Sequence, residues 1–360
     1  MEVDVRKLMY NEDEKNIKAP MSKRATNFQK KFMSRVFRGK GIFNPLNTVF
    51  IFDMKDKISN KIIMGVMRLF SFLFFPDKDV DEIFAHAKAH NEKQNFKLPK
   101  SRKIKYKDLK IFTENETYHC LTMKKRGQRP KRAILFICGG GGVYDYCQHQ
   151  LFLAKKLLNR VDCEIYYPFY PPATKQPINE IYRMVFETYK LLLKKHDHKK
   201  IGVLGISFGA TAAMTMISWN NYYSENIPMP AITVGLSPGH VPANSAEREM
   251  LEGYRGIDLL VSVNMVEAYG EIHKKGVGID ERLIYTAHGD FRNAGKVLLY
   301  FGEKESLAFA APIYQQSLEK AKANYRIHIE PGMPHCYGAM RINKACRRTY
   351  DEYVTLLNEL

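Results

Sequence analysis

Apolar and polar positions along this chain follow two different periods. Short runs rich in apolar and β-branched residues, typical of buried strands, recur through the C-terminal two thirds. They are RAILFIC, CEIYYPF, KIGVLGI, AITVGLS, KVLLYFG and YRIHIEP. Other segments carry apolar residues three and four positions apart, which is the spacing of an amphipathic helix. The predicted helices span residues 148–158, 178–195, 210–219, 312–323 and 344–357.

The order of these elements predicts the fold class. Strands and helices alternate, which indicates an α/β protein with a mostly parallel sheet and helices on both faces. Two earlier segments, KIKYKDLKIFT and ETYHCLTMKK, predict a hairpin that precedes this series. The segment 247–282 interrupts the alternation with helical pieces and is a candidate helical insertion.

The first hundred residues differ from the rest. They are basic, helix-leaning and divided by loops, so we expect a basic leader and a helical cap over 1–100 and the α/β domain over 101–360. The run 62–75 is the most apolar of the chain, but it is too short to cross a bilayer, which takes about 20 residues. We expect a helix there that covers a core or pocket; a helix lying in a membrane surface is the alternative.

Charge adds a question of partners. The net charge is +18, which favours association with anionic surfaces, while 45% apolar and 26% charged residues are ordinary globular values. Residues 15–52 contain no Asp or Glu but many Lys and Arg. This leader is either a solvated lysine-rich stretch or a contact for an anionic membrane. No nucleic-acid partner is expected, because no zinc-finger spacing or RNA-binding aromatic pattern is present. The oligomeric state is not predicted.

The cysteines and the N-terminus bear on location. Six cysteines occur without a Cys-x-x-Cys pair or a regular spacing. The first residues, MEVDVRKLMYNEDE, lack the apolar core of a signal peptide. We therefore expect reduced thiols and a cytoplasmic location, with peripheral membrane contact as an added hypothesis.

The segment VLGISFGATAA contains a Gly-x-Ser-x-Gly centred on Ser207. The motif by itself is weak evidence, and a small residue in an ordinary strand-to-helix loop is the plain alternative. Here, however, a buried strand precedes Ser207 and a helical pattern follows it, as a nucleophile elbow requires. The helix would also direct its N-terminus at the site, which favours developing negative charge.

A serine nucleophile needs a base and an acid that orients the base. His335 lies in EPGMPHCYGAM, a loop after the strand YRIHIE, and is the best candidate for the base. Glu303 and Glu305 both follow the strand KVLLYFG, at an edge where open α/β sheets assemble their sites, and Asp290 is a weaker third candidate for the acid.

Four glycines, 139–142, directly follow the buried strand RAILFIC. Such a turn can point several amides at one spot, as an oxyanion hole does. A phosphate-binding loop is the rival interpretation, but no Gly-Lys-Ser/Thr follows, so a P-loop is excluded. A merely flexible turn is the third possibility.

Together these pieces resemble the hormone-sensitive-lipase-like branch of the α/β-hydrolase superfamily, over about residues 130–357. The residues 332–335 are identical to the family's Gly-Met-Pro-His, and ILFICGGGGV is similar to its His-Gly-Gly-Gly motif with Cys138 in place of the histidine. YPFYPP resembles the family's Tyr-Arg-Leu-Ala-Pro-Glu stretch, and ESLAF aligns with its acid motif, which selects Glu305.

The resemblance implies an α/β-hydrolase fold with an N-terminal helical cap, and a serine esterase or lipase. The implied catalytic residues are Ser207, Glu305 and His335, and the implied oxyanion donors are the amides of Gly140, Gly141 and Phe208. The implied reaction is hydrolysis of a small-molecule carboxylic ester, short- to medium-chain or lipid-like, through an acyl-enzyme. No metal and no cofactor is expected.

Three departures from the family stand out. Ile206 and Phe208 flank the serine in place of Asp and Ala, so Phe208 is expected to add bulk beside its own donor amide. Cys138 lacks the hydrogen bonds that a histidine would supply to the glycine turn, and SPGHVP replaces the usual Ser-Pro-x-x-Asp. The alternatives left open are a non-catalytic small-molecule receptor on this scaffold, a membrane-surface lipase, and an amidase with the same residues.

Overall fold

An eight-stranded sheet forms the centre of the described structure. The strands are β1 (Ile104–Phe112), β2 (Thr117–Lys125), β3 (Arg132–Ile137), β4 (Cys163–Pro168), β5 (Ile201–Ile206), β6 (Ile232–Leu236), β7 (Lys296–Gly302) and β8 (Tyr325–Glu330). Their order is β1-β2-β4-β3-β5-β6-β7-β8. β2 pairs antiparallel with β1 and β4, and every other neighbouring pair is parallel. The predicted hairpin and the mostly parallel sheet are both confirmed.

Eight α-helices accompany these strands in the described residues. They are α1 (Val80–Asn91), α2 (Cys147–Leu158), α3 (Ile178–Leu193), α4 (Phe208–Tyr222), α5 (Ser245–Glu252), α6 (Val263–His273), α7 (Ala311–Lys320) and α8 (Lys344–Asn358). The five helices predicted from periodicity are all present, with ends shifted by up to three residues. Residues of β3, β5, β6 and β7 are buried almost throughout, which accounts for their unbroken apolar runs.

The computed structural model describes residues 79–276, 278–339 and 341–360. The basic leader and the apolar run 62–75 lie outside these residues, so the cap and the membrane contact predicted from them stay predictions. Within the described part of the chain, every helix is too short or too polar to cross a membrane.

Two helices lie in the segment that interrupts the strand-helix alternation. α5 and α6 both fall between β6 and β7, where the sequence predicts helical pieces over 247–282. α1 packs against α6 and against the loop after β3 in one buried apolar cluster that includes Ile83, Val143 and Ile272. The loop after β3 is therefore held between two helices.

The carboxyl ends of the parallel strands lie at the same edge of the sheet. Ile137 at the end of β3 pairs with Gly205 near the end of β5, and Gly302 of β7 pairs with Glu330 of β8. The four loops that carry the predicted site residues all start at this edge. The topology thus brings together residues from four separate parts of the sequence.

Candidate active site

Ser207 occupies a sharp turn between β5 and α4. Its backbone has φ 55° and ψ −126°, a conformation that non-glycine residues rarely adopt. Gly205 and Gly209 on either side allow the close approach of strand and helix, because a Cβ on Gly209 would lie 2.2 Å from the carbonyl oxygen of Ile137. The turn is the strained strand-turn-helix expected of a nucleophile elbow.

His335 connects Ser207 with Glu305 through its two ring nitrogens. Its Nε2 lies 2.9 Å from Oγ of Ser207, and its Nδ1 lies 2.5 Å from Oε2 of Glu305. An ionised carboxylate only accepts hydrogen bonds, so Nδ1 carries the proton and Nε2 is left to accept from the serine hydroxyl. Glu305 is fully buried and His335 is 6% exposed, which shields both from competing water.

The environment of His335 raises its pKa. Burial alone would lower it, but the sulfur of Cys336 and the carboxylate of Glu305 stabilise the imidazolium and outweigh burial. The pKa is thereby raised well above the ordinary 6.5. The imidazole of His335 therefore takes up a proton readily, and the buried carboxylate stabilises the imidazolium that results.

The two other candidates for the acid lie elsewhere. Glu303 accepts a hydrogen bond from the amide of Gly332 at 2.6 Å and pairs with Lys304. Asp290 forms an ion pair with Arg292. The structure thus brings Glu305, and neither of the alternatives, to His335.

Further hydrogen bonds hold the loops of Glu305 and His335 in place. The sequence analysis did not identify the residues that make them. The second oxygen of Glu305 accepts from the amide of Gly302 at 2.7 Å. The buried Asp258 accepts from the amide of Ser306, the residue after the acid, at 2.7 Å. Ser237 accepts from the amide of Cys336, the residue after the base, at 2.9 Å. These hydrogen bonds hold the acid and base loops against the sheet edge.

The glycine turn after β3 faces the serine. Gly140, Gly141 and Gly142 have φ values of 136°, 64° and 70°, which only glycine adopts easily. The amides of Gly140, Gly141 and Phe208 donate to no acceptor among the described residues, whereas the amide of Gly139 donates to the side chain of Gln150 at 2.9 Å. The resemblance assigned these three amides as oxyanion donors, and the amide of Gly142 likewise has no acceptor among the described residues.

Polar side chains from outside the turn replace the bracing that Cys138 lacks. The hydroxyl of Tyr170 donates to the carbonyls of Cys138 and Gly139, at 2.8 and 3.2 Å. The thiol of Cys138 lies 2.9 Å from the sulfur of Cys147. Gln150 and Tyr170 are both buried, so their hydrogen bonds to the turn are shielded from water.

The ring of Phe208 lies beneath the glycine turn. It is 4% exposed and packs against Tyr170, Tyr182 and His273, with ring centroids 5.6–5.8 Å away. A Cβ on Gly142 would lie 2.6 Å from this ring. The sequence predicts that Phe208 adds bulk beside its own donor amide. In the structure its ring packs against the glycine turn and supports it.

Among the described residues, one cluster has donor atoms suited to a metal ion: His240, Glu247 and His288. Its hydrogen bonds argue for a different role. Nδ1 of His240 accepts from the amide of Ala287 at 3.2 Å, so Nε2 carries the proton and donates to Glu247 at 2.9 Å. A metal ion would need the Nε2 lone pair that this tautomer lacks. The cluster fits a hydrogen-bonded link between the loop after β6 and α5.

A family model described as α/β-hydrolase fold matches residues 134–339, more than half of the chain. The chain belongs to the α/β-hydrolase fold family. The matched range contains the glycine turn, the serine, the acid and the histidine. No curated protein sequence is similar enough to this chain to give a match.

Solved structures of esterases are similar in fold over most of this chain. An esterase from the bacterial hormone-sensitive lipase family has a TM-score of 0.67 at 18% identity, over 85% of this chain and 99% of that one. EstE5, in crystals soaked with p-nitrophenyl butyrate, has a TM-score of 0.67 at 13% identity, over 84% and 98%. A putative esterase from Staphylococcus aureus has a TM-score of 0.61 at 18% identity, over 79% and 93%. These similarities confirm the α/β-hydrolase fold.

Proposed function

We propose that this α/β-hydrolase is a serine-dependent hydrolase of carboxylic esters that works through an acyl-enzyme. The observation that carries the proposal is the chain of two hydrogen bonds from Ser207 through His335 to Glu305, at 2.9 and 2.5 Å. The esterases that share the fold add support. A receptor function has no specific support here, because Ser207 and Glu305 are both present and both hydrogen-bond His335.

In the first half of the reaction, Nε2 of His335 takes the proton of the Ser207 hydroxyl as its oxygen attacks the ester carbonyl. The carbonyl oxygen becomes an oxyanion, and the unpaired amides of Gly140, Gly141 and Phe208 are its donors. The buried Glu305 stabilises the imidazolium that forms. His335 then gives its proton to the leaving alcohol, and the acyl group stays on the serine.

In the second half, His335 removes a proton from water as the water oxygen attacks the acyl-enzyme. The bond between the acyl carbon and the Ser207 oxygen then breaks, His335 returns the proton to that oxygen, and the carboxylic acid leaves. The same amides bind the second oxyanion. His335 carries every proton in both halves of the reaction. An amide substrate would pass through the same steps with an amine as leaving group, and is an outcome that the assay below distinguishes.

A fluorophosphonate probe tests the proposal directly. We expect it to phosphonylate wild-type protein at Ser207, as located by mass spectrometry, because the probe reacts with activated serines. A panel of p-nitrophenyl esters from acetate to laurate, run beside the matching anilides, then defines the acyl length and the preference for ester over amide. Protein that is folded but neither labelled nor active on the panel would favour the receptor.

The raised pKa of His335 predicts the pH dependence. The imidazole must be neutral to accept the serine proton, so kcat/KM is expected to rise with pH and to reach half its maximum above pH 6.5. Glu305→Gln removes the charge that stabilises the imidazolium, so the midpoint should move to lower pH. The maximal rate should fall by about 10⁴-fold, because a neutral amide no longer fixes the productive tautomer.

Glu303→Gln is the matched control for that measurement. Glu303 is two residues away and binds the amide of Gly332, which a glutamine oxygen can still accept. Its pH midpoint and rate should equal those of wild type. A Glu305→Gln midpoint that stays in place, or one that moves upward, would contradict the assigned role of the carboxylate.

We further propose that the N-terminal segment forms a lid that selects the acyl group. The support is that α1, the first described helix, packs on α6 and on the loop after β3, and so borders the glycine turn. A lid supplies contacts to the acyl chain. Deletion of residues 1–75 is therefore expected to change the ratio of kcat/KM between long and short acyl esters by about tenfold or more, and with it the order of preference. A truncated protein with an unchanged melting temperature and an unchanged order would refute the lid.

A further inference from the structure

We propose that His273, on α6, is a positioning residue of the oxyanion hole, which it serves by donating a hydrogen bond to the carbonyl of Gly141. The proposal rests on the ester hydrolase function proposed above. His273 acts through the glycine turn and is not expected to touch the substrate.

The turn needs anchors from outside itself. Three successive glycines with positive φ have many alternative backbone conformations, so their peptide planes rotate easily unless they are held. The carbonyls of Gly140 and Gly142 are held by backbone amides, from Tyr144 at 2.9 Å and Ala173 at 2.6 Å. The carbonyl of Gly141, in the middle of the turn, is held by a side chain. That side chain belongs to His273.

Two contacts from α6 meet at the same glycine. Nε2 of His273 lies 2.8 Å from the carbonyl oxygen of Gly141. Tyr269, four residues earlier and so one helical turn away, packs on the Cα of Gly141, where a Cβ would lie 2.4 Å from the ring. Helix α6 thus fixes the position of Gly141 through Tyr269, and through His273 it fixes the peptide plane that joins Gly141 to Gly142. The amide of Gly141, which we assign as an oxyanion donor, lies in the preceding peptide plane, whose carbonyl on Gly140 is bound by the amide of Tyr144. With both planes held, the direction of this amide is fixed.

The chemistry of His273 suits a fixed neutral donor. The residue is buried, and burial lowers the pKa of the imidazole to about 4, so the ring is neutral near pH 7. A carbonyl only accepts, so Nε2 carries the proton. Burying a polar ring is unfavourable unless it is hydrogen-bonded. Histidine at this position therefore provides a hydrogen bond to Gly141. An apolar side chain of equal size would fill the same space without that hydrogen bond.

His273 supplies to the turn a contact that Cys138, at the position of the family's histidine, does not make. Cys138 occupies that position, and its thiol contacts Cys147 in place of the glycines. The contact to the turn comes instead from a residue 135 positions later in the chain, in the segment that interrupts the strand-helix alternation. The oxyanion hole is thereby tied to α6.

The test compares variants that differ in whether a donor reaches Gly141. His273→Phe keeps a flat ring of similar volume without the N–H. His273→Gln places an amide N–H at about the position of Nε2, and His273→Asn carries the same amide on a side chain too short to reach. His119→Phe, on β2 of the outer hairpin, is the control for replacing a histidine with an aromatic residue.

We expect kcat on p-nitrophenyl butyrate to fall by about 10- to 100-fold in the Phe and Asn variants, with KM changed less than about twofold. An indirect contact should matter less than a donor that binds the oxyanion itself, which is worth about 10²- to 10³-fold. Affinity for an alkyl trifluoromethyl ketone, whose adduct carries the oxyanion, should fall by the same factor as kcat/KM. The Gln variant should recover most of both losses, and His119→Phe should match wild type.

Two results would overturn the proposal. One is a folded Phe or Asn variant with wild-type kcat and ketone affinity. The other is a Gln variant as impaired as the Asn variant, with both losses following the melting temperature, because that pattern belongs to a purely structural residue.

Amide hydrogen exchange separates this proposal from the proposed function. In the fragment that covers residues 139–146, exchange should be about tenfold faster in the Phe and Asn variants than in wild type and the Gln variant. This measurement needs no substrate. If wild type hydrolyses none of the esters, the proposed function is wrong, and equal exchange in all four proteins would still overturn the role of His273 in holding the turn.

Discussion

Ser207→Ala is expected to lower kcat on p-nitrophenyl butyrate by about 10⁶-fold and to abolish fluorophosphonate labelling. The hydroxyl oxygen forms the bond to the acyl carbon, so without it no acyl-enzyme can form and only slow attack by water remains. The fold should persist, since the strained turn is set by the backbone contacts of Gly205 and Gly209. The measurement is steady-state kinetics with a melting curve for each protein.

Ser218→Ala is the matched control on the same helix. Its hydroxyl is buried and has no hydrogen-bond partner among the described residues, so removing it costs no hydrogen bond. Activity should equal that of wild type, and the free energy of unfolding should be unchanged or slightly higher. A Ser207→Ala protein that keeps more than about one hundredth of the wild-type rate would show that another group is the nucleophile, and the proposed mechanism would fail.

Gly209→Ala is expected to have the largest effect on stability. Its Cβ would lie 2.2 Å from the carbonyl oxygen of Ile137 and 2.5 Å from that of Cys138. Both are backbone atoms, in β3 and the residue after it, so no side chain can turn aside to make room. We expect a loss of about 3 kcal/mol or more in the free energy of unfolding. Activity should fall as well, because helix α4 must move, which shifts the amide of Phe208 at its start and Ser207 directly before it.

Gly253→Ala controls for the loss of a glycine. Gly253 caps α5 with φ −56°, a conformation open to any residue, and the nearest atom to its added Cβ is 3.3 Å away. Its free energy of unfolding, from denaturant titration, should stay within about 1 kcal/mol of wild type. If Gly209→Ala changed the free energy of unfolding as little as Gly253→Ala, the close packing of β3 against the start of α4 would not explain why residue 209 is glycine.

Most of the fold could be predicted because each element carries its own signal. β3 and β5 are buried on both faces, and their sequences are unbroken apolar runs. The hairpin and the long helix α3 follow equally from local periodicity. Helix ends were less well predicted: α4 begins at Phe208, two residues before the predicted start, because the turn at Ser207 leads directly into the helix.

The choice among chemically equal residues required the structure. Glu303 and Glu305 both follow β7, and spacing alone does not say which faces the histidine. The structure turns Glu303 toward the amide of Gly332 and Glu305 toward His335. Only the resemblance to a known acid motif favoured Glu305 beforehand. The direction of a side chain in a loop depends on contacts that the local sequence does not contain.

The sequence by itself determined the α/β class, the order of the elements, the strained serine turn and the histidine loop, because these depend on periodicity and on neighbouring residues. Tertiary structure alone decided what holds the site together: Asp258 behind the acid, Gln150 and Tyr170 on the glycine turn, and His273 on Gly141. These contacts join residues up to 132 positions apart. They exist because helices pack over one edge of the sheet, and that packing is set by the whole chain, beyond the reach of any local pattern.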